Sequence, residues 1–188
     1  MGNSTAYPLL TTTNVDALVT LAERLLTVAE GDGNGDGITT ELYVRVPGRE
    51  QLRRLLAAVP DAEVTTHVRA DAAEPGDHPL PFDDIYSLAL AVPPENAVAT
   101  ARAVLEFCPH IQLTWESFGW PAIPELGHHH PLYNYAAVVI AFHHHDVYLA
   151  ENPTPGHTLF LHADSHEDRA EWLAHRAGAE ITGLSSSW

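Results

Sequence analysis

Residues 41–69 read ELYVRVPGREQLRRLLAAVPDAEVTTHVR, and residues 85–117 read IYSLALAVPPENAVATARAVLEFCPHIQLTWES. Each stretch opens with a strand-like run, passes through a helical one and closes on another strand. In the first, residues 41–46 form the opening strand. Residues 48–58 carry Leu52, Leu55 and Leu56, with Val59 following, at the spacing of one helix face. Residues 62–69 return as a strand. In the second, residues 85–92 are apolar on both faces. Pro93 and Pro94 then open a helix over 95–107, where proline suits the first turn, and residues 111–117 close as a strand. The order β-α-β-β-α-β is that of a ferredoxin-like, split βαβ sheet, and it predicts an α+β fold.

The flanking sequence extends this unit on both sides. Residues 1–13 read as a tail or short strand. Asn14 is placed to cap a helix over 15–29, whose apolar positions include Leu18, Ala22 and Leu25. Residues 118–132, punctuated by Pro121, Pro124, Gly127 and Pro131, read as a loop. Residues 135–142 (YAAVVIAF) predict a central strand. Residues 147–152 pair with it as a hairpin across 143–146, and 157–162 form a further strand. Ser165 with Asp168 gives a capping-box pattern for a last helix, Gly178 sits at its C-terminal cap, and 180–182 close as a strand. The expectation is one domain over 1–188. It has an N-terminal helix and acidic Gly-rich loop (1–40), the βαββαβ unit (41–117), and a His-rich β-hairpin–β–α–β extension (118–188).

Composition narrows the function classes. Hydrophobic residues are 45% of the chain and charged residues 18%, as in ordinary globular proteins. Cys108 is the one cysteine, which excludes an intramolecular disulfide and a CxxC metal knuckle, and it reads as a small buried hydrophobe. No apolar run reaches the length of a membrane span, and the opening MGNSTAYP has neither a basic n-region nor an apolar h-region. The expectation is therefore a cytoplasmic protein. No GxSxG, P-loop, GxGxxG or kinase element is present.

Charge is the strongest signal. There are 25 acidic residues against 9 arginines and no lysine, for a net charge of −16. Between Arg69 and Arg102 lie Asp71, Glu74, Asp77, Asp83, Asp84 and Glu95 without a base, and between Arg102 and Arg169 another eight carboxylates follow. Such a field repels nucleic acid and anionic membranes and favours a basic protein partner, as in an immunity protein or an inhibitor. The acidic run Asp71, Glu74, Asp77, Asp83 and Asp84, with Trp120, is the expected partner surface. The same charge also serves solubility.

Two constellations suit cations. Asp32, Asn34 and Asp36 alternate with glycines as a calcium loop begins, but the twelfth position is Tyr43 where a bidentate glutamate belongs. Calcium is thus a weak candidate. Ten of the 13 histidines fall between His128 and His175. His143 and His145 would share one face of a strand. With His128, His130, His162, His166 and Asp164 they form the candidate set for a divalent transition metal, and a metal-dependent hydrolase or oxygenase is the alternative to the acidic binder. Neighbouring carboxylates are expected to raise the histidine pKa values, so that full protonation would move the formal charge from −16 to −3.

Overall fold

The computed structural model describes residues 4–31, 37–60, 63–69, 85–147 and 152–187. The chain is an α+β protein built on one large antiparallel sheet. Strand β1 (Thr5–Thr12) leads into helix α1 (Val15–Leu26), followed by the two-residue strand β2 (Glu30–Gly31). Then come β3 (Thr39–Pro47), α2 (Gly48–Ala58), β4 (Glu63–Arg69), β5 (Ile85–Ala91), α3 (Ala97–Leu105) and β6 (Ile111–Glu116). The chain continues through β7 (Phe118–Gly119), β8 (Ala137–Phe142), β9 (His157–Ala163), α4 (Glu167–Arg176) and β10 (Ser186–Ser187).

Eight strands share the sheet in the order β10-β1-β9-β8-β6-β3-β5-β4, and every neighbouring pair is antiparallel. The order falls into two halves. Within β3-α2-β4-β5-α3-β6, the spatial order is fourth, first, third, second. Within β1-α1-β8-β9-α4-β10 it is the same, with the first set inserted between α1 and β8. The β6–β8 ladder joins the halves, pairing Ile111 with Phe142, Leu113 with Ile140 and Trp115 with Val138.

Local chemistry explains the elements. Asn14 caps α1 by accepting hydrogen bonds from the backbone N–H groups of Asp16 and Ala17 (3.0 and 3.3 Å). Gly178 follows α4 at φ +75, the left-handed C-terminal position that glycine adopts without strain. All four helices bury their apolar stripes in one continuous core on one face of the sheet. Among the described residues no helix packs on the other face. There, Ala6, Ala137, Val139, Ala141, Val147 and Phe160 form a small second cluster over the sheet centre.

Several expectations are corrected. The first residues, read as a tail or short strand, contribute the eight-residue strand β1, paired with both β9 and β10. β8 pairs with β9 rather than with residues 147–152, of which only 147 and 152 lie within the described residues. The closing strand is at Ser186–Ser187, not 180–182. Helix α4 is capped at His166 without a side-chain bond, so Ser165 and Asp168 do not make the capping box. Leu56 is 44% exposed, while Leu55 carries the buried face of α2.

The ladder at β8 sets a clear expectation. Ile140 is fully buried in the main core, so Ile140→Ala should destabilise the protein by about 3 kcal/mol. Asn14→Ala, which removes only a cap, should cost about 1 kcal/mol. Urea titrations should show both as lower midpoints at constant m-value, with the cap variant the milder.

Candidate functional site

The alternation along β6, β8 and β9 selects what reaches the helix-free face. Trp115, Val138, Leu161 and Ala163 point into the main core. Their neighbours Glu116, Ala137 and His162 therefore face the other way. Together with Ser4, Ser117 and Tyr133 to Ala136 they line an open cleft of about 650 Å³ at one end of the β6–β8 seam. The size is that of a small-molecule or side-chain site.

Each wall has a local cause. Ser117 and Tyr135, the residues that turn the chain out of β6 and towards β8, both adopt left-handed backbone (φ +61 and +69). That conformation is an outlier for a bulky residue such as tyrosine and costs of order 1–3 kcal/mol. Ser117 Oγ accepts a hydrogen bond from the Thr39 hydroxyl at 2.8 Å. The Tyr133 ring lies against Gly119, where an added Cβ would meet its Cδ1 at 2.6 Å. Tyr133 and Tyr135 remain 47% and 46% exposed at the rim. Beneath them the connection is anchored by Trp120, whose indole N–H donates to the His162 carbonyl (2.6 Å), and by paired backbone bonds between Trp120 and Leu132.

The cleft is electronegative. Glu116 has its carboxyl pKa raised by burial and by the charge of Glu41. Glu41 lies diagonally across the β3–β6 ladder, since Thr39 stands opposite Glu116 and Glu41 opposite Thr114. Like charges so placed repel. His162, 1% exposed, has its pKa pushed down to about 3 by burial, so it is neutral at physiological pH and cannot offset these carboxylates.

The histidines separate into three places. His162 lies in the cleft. His128 and His166 stack edge to face near the start of α4 (5.1 Å between ring centres). His128 Nε2 is 3.2 Å from Asp168 Oδ1, and His166 Nδ1 is 3.1 Å from Asp164 Oδ2. The buried Arg169 guanidinium stands 3.5 Å from Asp164 and donates to the Pro121 carbonyl (3.2 Å), so a fixed side-chain cation already occupies this cluster. His143 and His145 lie beyond the end of β8, in the connection to β9, so strand alternation does not align them. The His143 ring N–H donates to the Thr154 carbonyl (2.8 Å), and the His143 backbone N–H donates to His157 Nδ1 (2.9 Å). His145 contacts the hydroxyls of Thr158 and Thr154, both at 3.1 Å. His130 is exposed in the loop. Among the described residues, no group of three or more His, Cys, Asp or Glu side chains is arranged to hold a metal ion.

The remaining expectations divide in two. Asp32, Asn34 and Asp36, and Asp71, Glu74, Asp77, Asp83 and Asp84, lie outside the described residues. Trp120, expected on a partner surface, is fully buried in the main core, where its indole is needed to hold the 117–136 connection. Cys108 is buried as expected, its thiol pKa raised by that burial. Sequence reading missed Glu116, Ser117, Tyr133, Asn134 and Tyr135. They belong to no motif, and the ladder that joins them pairs strands distant in sequence.

No family model, curated protein or solved structure matches this chain. No helix among the described residues is long and apolar enough to cross a membrane.

Burial also corrects the expected sign of the histidine shifts. His144 is fully buried, with its ring 5.0 Å from that of His110. Burial, followed by the His110 charge, pushes the His144 pKa down to about 4 despite the pull of Asp146. His110 and His157 are lowered as well, chiefly by burial. With His162, these make four histidines that are neutral when folded near pH 7, whereas the unfolded chain takes up their protons near pH 6.5. Stability from them is thus complete above that value and falls as pH drops towards 4 and below. Glu116 works in the opposite sense, since its raised pKa favours the folded state on acidification. The melting temperature should fall between pH 7 and 5, by up to about 2 kcal/mol of stability for each of His144 and His162. His162→Gln should shallow that slope, which differential scanning calorimetry across the range would measure.

Proposed function

We propose that this protein is a non-catalytic acidic binder of a basic protein partner, and that each half of its sheet is a ferredoxin-like unit. The shared strand order, fourth-first-third-second, supports the fold reading. The charge supports the functional one. A net charge of −16 with no lysine gives a field that attracts basic surfaces over a Debye length and repels polyanions. The cleft adds a local focus. It combines a half-buried carboxylate with exposed tyrosines, and tyrosine is enriched in the anchors of protein interfaces.

The reading is tested with a partner captured by cross-linking in the source cells and then purified. Stopped-flow association should give a one-to-one complex whose on-rate falls at least tenfold from about 50 to 500 mM salt. A salt-independent on-rate, or a partner with an acidic surface at the contact, would remove the proposal.

A further inference from the structure

The cleft at the β6–β8 seam carries more than a general acidic surface would. Its lining brings one carboxylate, Glu116, beside two tyrosine rings and the neutral polar groups of Ser117 and Asn134. Glu41 adds a second negative charge along the sheet from Glu116. His162 is neutral and does not repel a cation. A planar guanidinium meets such a set well. It can donate two N–H bonds to a carboxylate while its face rests on an aromatic ring. Rings beneath a cation add attraction through their quadrupole. An ammonium group would pair with the carboxylate as a point charge and keep more of its water.

We propose that this cleft receives a single arginine side chain, presented by the basic partner. Identifying the ligand as a partner's side chain rests on the functional reading above. The cleft chemistry stands on its own. Glu116 supplies the ion pair, and Tyr133 and Tyr135 form the aromatic rim. Gly119 acts as a positioning residue, because only the missing Cβ lets the Tyr133 ring lie where it does. A cation in the cleft relieves the Glu41–Glu116 repulsion.

The test titrates the intact protein with three peptides: acetyl-Gly-Arg-Gly-amide and its lysine and citrulline counterparts. Calorimetry should show saturable one-to-one binding of the arginine peptide in the millimolar range. The lysine peptide should bind at least about threefold more weakly, and the neutral citrulline peptide should give no measurable heat. NMR shifts should concentrate on Glu116, Tyr133 and Tyr135. Glu116→Gln should weaken arginine binding about tenfold or more while the melting temperature holds or rises, since a like-charge contact is removed. A carboxylate with a purely structural role would instead lower the melting temperature when replaced. Tyr133→Ala should weaken binding about threefold, and Gly119→Ala should do the same by displacing the Tyr133 ring while leaving the chemical identity of every cleft side chain unchanged. Equal binding of arginine and citrulline peptides, or arginine binding unchanged in Glu116→Gln, would overturn the proposal. If the purified partner associates with the expected salt dependence but the arginine peptide does not bind, the cleft assignment alone falls. If the peptide binds here and the partner's on-rate ignores salt, the partner reading alone falls.

Discussion

The ladder between β6 and β8 is the contact from which the rest of the architecture follows. It joins two four-stranded halves that are interleaved in the chain, one inserted between α1 and β8 of the other. Its register places Leu113, Trp115, Val138 and Ile140 in the main core. A one-residue slip of β8 against β6 would turn Val138 and Ile140 outwards and bring Ala137 and Val139 in. The same register brings the end of β6 beside the beginning of β8 on the helix-free face. Glu116, Ser117, Ala136 and Ala137 therefore become neighbours only because the two halves meet in this way. The cleft is a consequence of the seam.

A one-sided sheet also explains the behaviour of His162. All helices among the described residues lie on one face, and the other face buries its centre with short apolar residues and with what the connections provide. Phe160 and Val139 do this at mid-sheet, while Thr158 and His162 are buried along the same strand. Imidazole in such a place loses its hydration and gives up its proton, whatever the net charge of the chain. The neighbouring-carboxylate argument from composition fails here because desolvation acts at contact range, whereas most of the described carboxylates are exposed and act through solvent.

The α+β class and most of the elements were legible in the sequence because elements are local. The apolar spacing of Leu18, Ala22 and Leu25, the Asn14 cap and the β-rich runs at 41–46, 85–92 and 135–142 each identify an element without reference to the rest. Pairing partners were less legible. Residues 147–152 follow β8 closely and suggest a hairpin, yet β9 takes that place, with Ala141 opposite Thr158. Residues 1–13 read as a tail or short strand, and nothing local to them marks β9 as their neighbour. The candidate site was least legible. His162 was singled out as a metal ligand through its residue type, while Glu116 and Tyr135 lay within runs read as strands and Tyr133 between assigned elements, and none carried a motif that marked it as a site residue.

Three departures from local consistency converge on that cleft. Natural sequences are mostly self-consistent, and residues that break the local rules concentrate where function demands them. Tyr135 occupies a left-handed conformation that glycine or asparagine would adopt at lower cost. Ser117 does the same on the opposite wall. Glu116 keeps a charge in a partly buried position diagonal to Glu41, where glutamine would be easier to accommodate. A third non-glycine residue at positive φ, His143, is held by its hydrogen bonds to Thr154 and His157 and so has a local explanation. At the cleft, a like-charge pair and a tyrosine in left-handed backbone lie side by side. Fold stability alone would favour relieving each of these features, and their coincidence in one place is what directs attention to binding.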